Sequence, residues 1–456
     1  MIRKIFVCAV VAAVALSGKL AEGAERAISG VVKPKVTIIK PNQISASGMA
    51  GHGADGHDGH DMGSAGATSG GPRPIIEDYH LPEKYSAPYG IVADSNGIIW
   101  FTEMSNHSLG RLDPKTGELK EYRLPSAEGL PPVEWRYDPQ SKLTTPESYD
   151  VYSVGNPGSL IAGKNGMIWF VTLLGNSVTR FDPAKEEFTE FMVPTDHAQP
   201  YDLAEDSTGR IWYVQKNGGK LAYLDVESKR MVEIPLDPGA NPMGIVIDKD
   251  GKIWFGDVTG NYLGRFDPET KKLRKFEITV PVSQPGQMRF DHTGNLWVCN
   301  LHSQQLGVLI PDPGVYSVVP VPGYNTVPQG LAPDHKGRIW VIDSMMNQFG
   351  YFDAINLKWS LWEIPTANSQ PMGITVDGSG DVWFTQSDRM ANRISRVKVS
   401  TLQDDAAKPA AGASAHEGHA ASPQEDSSRL GLLVVVFAVA ALALAGGALM
   451  FRRGQR

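Results

Sequence analysis

The chain of 456 residues has only two cysteines, Cys8 and Cys299, and that scarcity excludes a disulfide framework. Cys299 reads as a small apolar side chain on a strand rather than as a nucleophile. Basic excess is missing too. Lys and Arg number 43 against 50 Asp and Glu, a formal net charge of -7, so the chain offers no electrostatic footprint for nucleic acid. Between about Ile75 and Val399 no stretch sustains a helical period. The same region contains no phosphate loop, no Ser/His/Asp order and no compact Cys/His metal motif. Its histidines, His107, His197, His292, His302 and His335, fall at unrelated positions.

What the region does contain is repetition. From Gly244 to Asp267 a short apolar run leads into a charged turn, then Ile-Trp-Phe, a polar turn and a second short run ending in Asp. Runs of this length between Asp/Gly turns read as antiparallel strands in tight succession. The unit recurs around Trp100, Trp169, Trp212, Trp254, Trp297, Trp340 and Trp383, at intervals of 69, 43, 42, 43, 43 and 43 residues. A period in the low forties is that of a four-stranded propeller blade. The expected fold is therefore all-β, a seven-bladed β-propeller spanning 75–402. No single blade can bury both faces of its sheet, so the array forms one body.

Each unit starts at a loop proline: Pro88, Pro157, Pro200, Pro242, Pro285, Pro328 or Pro371. An inner strand follows, then a turn such as Asn96-Gly97 or Asp250-Gly251 that supplies positive φ, then the tryptophan strand. The tryptophans read as core between neighbouring sheets. Arg111, Arg180, Arg265 and Arg396 recur at one place on the third strand and read as salt-bridge formers. Residues 76–82 resemble the segments that end other units, whereas the last unit stops near Val399 without one. The strand around Tyr79 is therefore expected to complete the last blade and close the ring. The long first interval marks an insertion near 125–152 that carries Trp135, Tyr137, Tyr149 and Tyr152, either a binding lid or a structural flap.

The tails differ in composition. Arg3 and Lys4 before the apolar run Ile5 to Leu16 read as a signal peptide, 1–24. Residues 25–74 read as a flexible linker with one extended piece, Lys35 to Lys40. Within it His52, His57, His60, Asp58, Asp61 and Met62 could capture Cu, Zn or Ni. A second linker, 403–429, precedes 21 largely apolar residues, Leu430 to Met450, long enough for a transmembrane helix. Arg452, Arg453 and Arg456 follow in a short basic tail at 451–456, which places the propeller on the periplasmic or extracellular side of the cytoplasmic membrane.

Aligned positions of a propeller form rings about its channel. One ring lies three residues after each tryptophan: Glu103, Thr172, Gln215, Asp257, Asn300, Asp343 and Gln386. Another follows each loop proline: Tyr89, Gly158, Tyr201, Met243, Gly286, Gln329 and Met372. Their carboxylates, amides, phenols and thioethers suit a polar ligand or a cation. The segments Pro-Tyr-Gly-Ile at 88–91, Gly-Ile-Ile-Trp-Phe-Thr-Glu at 97–103 and Leu-Gly-Arg-Leu at 109–112 resemble the streptogramin B lyase family, also called virginiamycin B lyase. Related copies stand at Pro242-Met243-Gly244-Ile245 and at Pro371-Met372-Gly373-Ile374. The resemblance implies a propeller that opens a cyclic ester by elimination with Mg in the channel, and it nominates Glu103 and Asp257 as the acids. The sequence thus leaves three functions open. The leading one is a membrane-anchored propeller binding an extracytoplasmic small molecule or protein through its channel mouth and inserted loop. The others are a Mg-dependent carbon-oxygen lyase and metal capture by the histidine-rich tether.

Overall fold

A computed structural model describes residues 36–39, 73–128, 135–138, 143–146, 155–388 and 390–402 of the chain. Seven antiparallel sheets follow one another, one per tryptophan. Blade 4 is representative: its strands Pro242–Ile247, Ile253–Asp257, Tyr262–Asp267 and Lys272–Glu277 pair in sequence order. In blade 7 the fourth strand comes from the other end of the array. Ile75–His80 pairs antiparallel with Arg393–Lys398, Ile75 opposite Lys398 and His80 opposite Arg393. Arg393 Nη1 meets Asp78 at 3.1 Å, Lys398 Nζ meets Glu77 at 2.5 Å, and the Tyr79 ring lies 5.5 Å from that of Trp383. With Arg396 Nη1 also 3.6 Å from Glu77, closure combines a backbone ladder, three ion pairs and an aromatic contact.

Blade 1 has a fifth strand. Val36–Ile39, inside the extended piece read at 35–40, pairs antiparallel with Glu118–Arg123 at the outer edge. The insertion after blade 1 contains a hairpin of Trp135–Asp138 and Leu143–Pro146.

The core lies between sheets, where the seven tryptophans are 0–4 % exposed. Six of them share one further anchor. An aspartate six residues earlier accepts the indole N–H: Asp94, Asp206, Asp248, Asp291, Asp334 and Asp377 at 2.7–3.0 Å. The other carboxylate oxygen takes N–H groups of the intervening turn. Asp248 Oδ1 accepts from Asp250 at 3.0 Å and Lys252 at 2.9 Å. One carboxylate therefore fixes both the hairpin and the ring that packs against the next blade. In blade 2 the position is Gly163, and the Arg180 guanidinium lies 5.9 Å from the Trp169 ring. The repeated arginines stack on the tryptophans elsewhere too. Arg265 lies over Trp254 and 3.7 Å from Asp248; Arg396 lies over Trp383 and 2.8 Å from Asp381.

The anchored placement expected from the tails is corrected by the structure. Among the described residues no helix is long and apolar enough to cross a membrane. The span read at 430–450, the signal at 1–24 and the histidine-rich stretch 51–63 lie outside the described residues. A membrane-anchored localisation and a membrane-bound partner role therefore have no footing in the described structure.

The aspartate latch is testable in one blade. Asp248→Ala orphans the Trp254 N–H and two turn N–H groups, and should cost about 2–3 kcal/mol. Denaturant unfolding followed by tryptophan fluorescence should show that loss; an unchanged midpoint would show that the latch adds nothing to packing.

Candidate functional site

The inner strands meet around the axis, and their bulges shape its mouth. In blade 4 the pairing with the tryptophan strand skips from Pro242 to Ile245, leaving Met243 and Gly244 outside the ladder. The skip recurs after the loop proline in blades 1, 3, 5 and 7. It turns the residue after the proline toward the axis and brings neighbouring inner strands very close. A Cβ on Gly244 would stand 2.1 Å from the Gly286 carbonyl oxygen, and one on Gly373 would stand 2.3 Å from that of Tyr89. Glycine is required there by space.

At this mouth is a cavity of about 60 Å³, lined by Tyr89, Tyr201, Met243, Gly286, Gln329 and Met372 from the post-proline ring. Ser159, Asp202, Gln287 and Arg289 also line it. The seventh ring position is Gly158. Without a side chain from blade 2, the Tyr89 and Tyr201 hydroxyls meet across it at 3.2 Å. Burial raises both phenols above their ordinary value, so both keep their protons at neutral pH.

Asp202 is the one carboxylate lining the cavity among the described residues. Its Oδ1 accepts from Ser159 Oγ at 2.5 Å and from Leu203 N at 2.9 Å; Oδ2 accepts from Ile245 N at 3.2 Å. It therefore ties blade 3 to blades 2 and 4. Burial raises its carboxyl above the ordinary value, and the Arg289 charge and these donors offset part of that rise. In blade 5 Gln287 makes the corresponding link, accepting from Leu331 N at 2.8 Å. Repeat alignment at the second residue after the proline would have marked Ser159, Asp202 and Gln287 in the sequence, since blades 1, 4, 6 and 7 carry glycine there.

The other ring lies elsewhere. Glu103, Thr172, Gln215, Asp257, Asn300, Asp343 and Gln386 are 0–2 % exposed and do not line the cavity. They end the second strands and bond within their own blades. Asp257 accepts from Gly260 N and Asn241 N; Asp343 Oδ1 accepts from Val327, Met345 and Met346 N–H groups at 3.0 Å. Asn300 pairs with Tyr316, and Gln386 with Ser395. Asp257 and Asp343 thus hold loops, and Asn300 and Gln386 tie neighbouring strands of their own blades.

Blade 1 departs from its neighbours here. In blade 3 Gln215 and Glu233 face each other, and Lys220 holds Glu233 at 2.6 Å. The same register in blade 1 places Glu103 opposite Ser108, with Glu121 on the fourth strand. The pair has two carboxyls and no cation at the lysine position. Both are at most 3 % exposed, and each keeps one oxygen without a hydrogen-bond partner. Burial raises both above the ordinary carboxyl value; the charges of Glu103 and Glu83 raise Glu121 further, while hydrogen bonding to Asn106, Ser86 and Glu121 offsets part of the rise at Glu103. His107, buried nearby, accepts from Asn156 N at 3.2 Å, and burial first, then Arg123, lowers it to about 4.

Among the described residues no group of three or more His, Cys, Asp or Glu could hold a metal ion, which corrects the expected metal-binding character. The donor set at the mouth does not fit the channel Mg implied by resemblance. It offers a single carboxylate with three donors already on it, and no histidine follows a loop proline. The Cu, Zn or Ni ligands read in the tether lie outside the described residues.

Comparison with known proteins gives a consistent relationship. A model of the virginiamycin B lyase family matches residues 147–425, more than half of the chain. Virginiamycin B lyase of Nocardia farcinica is 26 % identical over 172 residues, 34 % of this chain and 58 % of that protein, so the match spans less than two thirds of the relative. A streptogramin B lyase structure superposes with TM-score 0.60 at 25 % identity, covering 71 % of this chain and 96 % of the other. A catalytically inactive virginiamycin B lyase from Staphylococcus aureus with quinupristin superposes with TM-score 0.61 at 20 % identity, covering 71 % and 98 %. The last likeness is one of fold.

The blade 1 pair sets a pH dependence. A carboxyl whose folded pKa is raised adds stability fully below its unfolded value near 4.5, and that stability is lost as pH rises toward the folded value. Melting should therefore fall between pH 5 and 8 in the wild type. Glu121→Gln should flatten this profile and be more stable than wild type at pH 8 by on the order of 1–3 kcal/mol. A variant that keeps the wild-type slope would remove the pair as its cause.

Proposed function

Because the chain belongs to the virginiamycin B lyase family, we propose that it is a carbon-oxygen lyase that opens an ester-closed ring at the channel mouth. This replaces the anchored binding propeller as the leading reading, since the family match favours the lyase. The observation that carries the proposal is the placement of one buried carboxylate, one guanidinium and a phenol pair at the convergence of the inner strands. A cavity of about 60 Å³ holds roughly two waters by volume. A cyclic peptide ester must therefore lie over the mouth and present only its reacting edge.

The elimination needs a base, a site for negative charge and a leaving group. Asp202 takes the proton α to a carbonyl, and its raised pKa makes it a stronger base than an exposed aspartate. The electron pair of the broken C–H bond forms a C=C bond to the β carbon. The β carbon–oxygen bond breaks, and the ester leaves as a carboxylate with that bond's pair. Tyr89 and Tyr201, protonated and mutually bonded, donate toward the carbonyl oxygen as it gains charge. Arg289 balances charge beside Asp202. No step passes through a metal.

Quinupristin is the probe. The expected product has the substrate's mass, because elimination only rearranges atoms, whereas hydrolysis adds a water. Asp202→Asn keeps one acceptor oxygen but not the base; it should lower kcat by about 10²–10⁴ and, by orphaning the Leu203 or the Ile245 N–H, cost about 1–3 kcal/mol of stability. The wild-type rate should rise with pH through a pKa above the ordinary aspartate range, and EDTA should leave it unchanged. A hydrolysed product, or full activity in Asp202→Asn, would refute the assignment.

A further inference from the structure

The mouth face is chemically divided around the ring. Its loops are those joining consecutive blades and those joining second to third strands. Six successive ones, at 258–261, 278–284, 301–304, 321–327, 344–347 and 364–370, contain no Asp, Glu, Lys or Arg. On the remaining half of that face stand Glu83, Lys84, Asp196, Lys216 and Asp237. The opposite face of the same blades is charged, for example at Asp248 to Lys252 and Asp267 to Lys271. Absence of charge is therefore a property of one arc and not of blades 4 to 7 as a whole.

The arc also exposes large apolar side chains. Tyr324 is 92 % exposed, Val282 and Met345 59 %, and Met346 39 %. The loops adjoin, since the Met346 methyl reaches within 3.8 Å of the Cβ position of Gly323 beside Tyr324. Inward of the arc Met243, Leu301 and Met372 line the cavity from blades 4, 5 and 7, interleaved with Gln287, Arg289 and Gln329 of blades 5 and 6. Tyr89, Tyr201 and Asp202 line it from blades 1 and 3. Flexible thioethers and a rigid phenol suit contact with a varied apolar surface, and a contiguous exposed patch of this kind marks an interaction site.

We infer that this uncharged arc over blades 4 to 6 docks the apolar side of an amphipathic ring-shaped ester, orienting its polar edge toward the reacting half of the mouth. The inference rests on the lyase reading for the class of ligand. The occupant follows from two features: the loops of the arc carry no ionic partner, the flanking charges being Glu277 and Glu363 at the ends of the outer strands, and the arc reaches the cavity through Leu301 of loop 301–304. A charged ligand would gain nothing there.

The test separates docking from chemistry. The triple variant Tyr324→Ser, Met345→Ser, Met346→Ser alters only exposed side chains. It should raise KM for quinupristin about tenfold to a hundredfold with kcat within about twofold. Equilibrium dialysis at high and low salt should show the same loss in Kd, independent of ionic strength. The control pair Asp196→Ala, Asp237→Ala on the charged half should leave both unchanged. If wild type binds without turnover and the triple variant still weakens binding, docking stands and the lyase reading falls. An unchanged KM and Kd in the triple variant, equal losses in the control pair, or no wild-type binding would overturn the inference. So would a wild-type dimer in sedimentation that the triple variant disperses, which would assign the arc to a second copy.

Discussion

Close backbone approach around the axis is the constraint on which the rest depends. Seven inner strands fit around one axis only if they touch, and they touch where Gly244 faces the Gly286 carbonyl and Gly373 faces that of Tyr89. Blade 1 adds a side-chain link, Thr102 Oγ1 donating to the Gly158 carbonyl at 2.7 Å. In blade 7 Thr385 does the same for the Tyr89 carbonyl at 3.1 Å. Because these contacts use backbone, the side chains released by each bulge are free to face the mouth. The ring that confers stability also forms the site.

Much of the fold was legible because its signals are local. Tryptophan spacing gave seven blades, and the missing last strand pointed to residues 75–80. The turn glycines were readable from positive φ alone, as at Gly97 with φ 82°. The aspartate six residues before six of the seven tryptophans went unread, although it is nearly as regular as the tryptophan itself, because its use depends on a hairpin bending back on the indole. The extended piece at 35–40 was visible, but its partner strand was not, since outer-edge pairing leaves no periodic mark in sequence.

The site was half legible, for a geometric reason. Counting three residues from a tryptophan follows an unbroken ladder and ends inside the blade, where Glu103 and Asp257 serve their own loops. Counting one from the proline enters the bulge, where strand alternation breaks and side chains turn inward. Only the second count reaches the cavity. Asp202 was missed because it lies one residue further, at a position that is glycine in most blades. The tryptophan ring stabilises blades, the proline ring shapes the mouth, and the departures from glycine between them carry chemistry.

The account requires that the ring be sealed by a strand from the start of the array, because an open ring would let the inner strands separate and the mouth disperse. Hydrogen exchange of the amides of Ile75–His80 tests this most directly. Those amides that pair with Arg393–Lys398 should be protected to the same degree as their partners and be lost with them in a single opening event. Free exchange of Ile75–His80 while Arg393–Lys398 stays protected would contradict the closed ring and the site built on it.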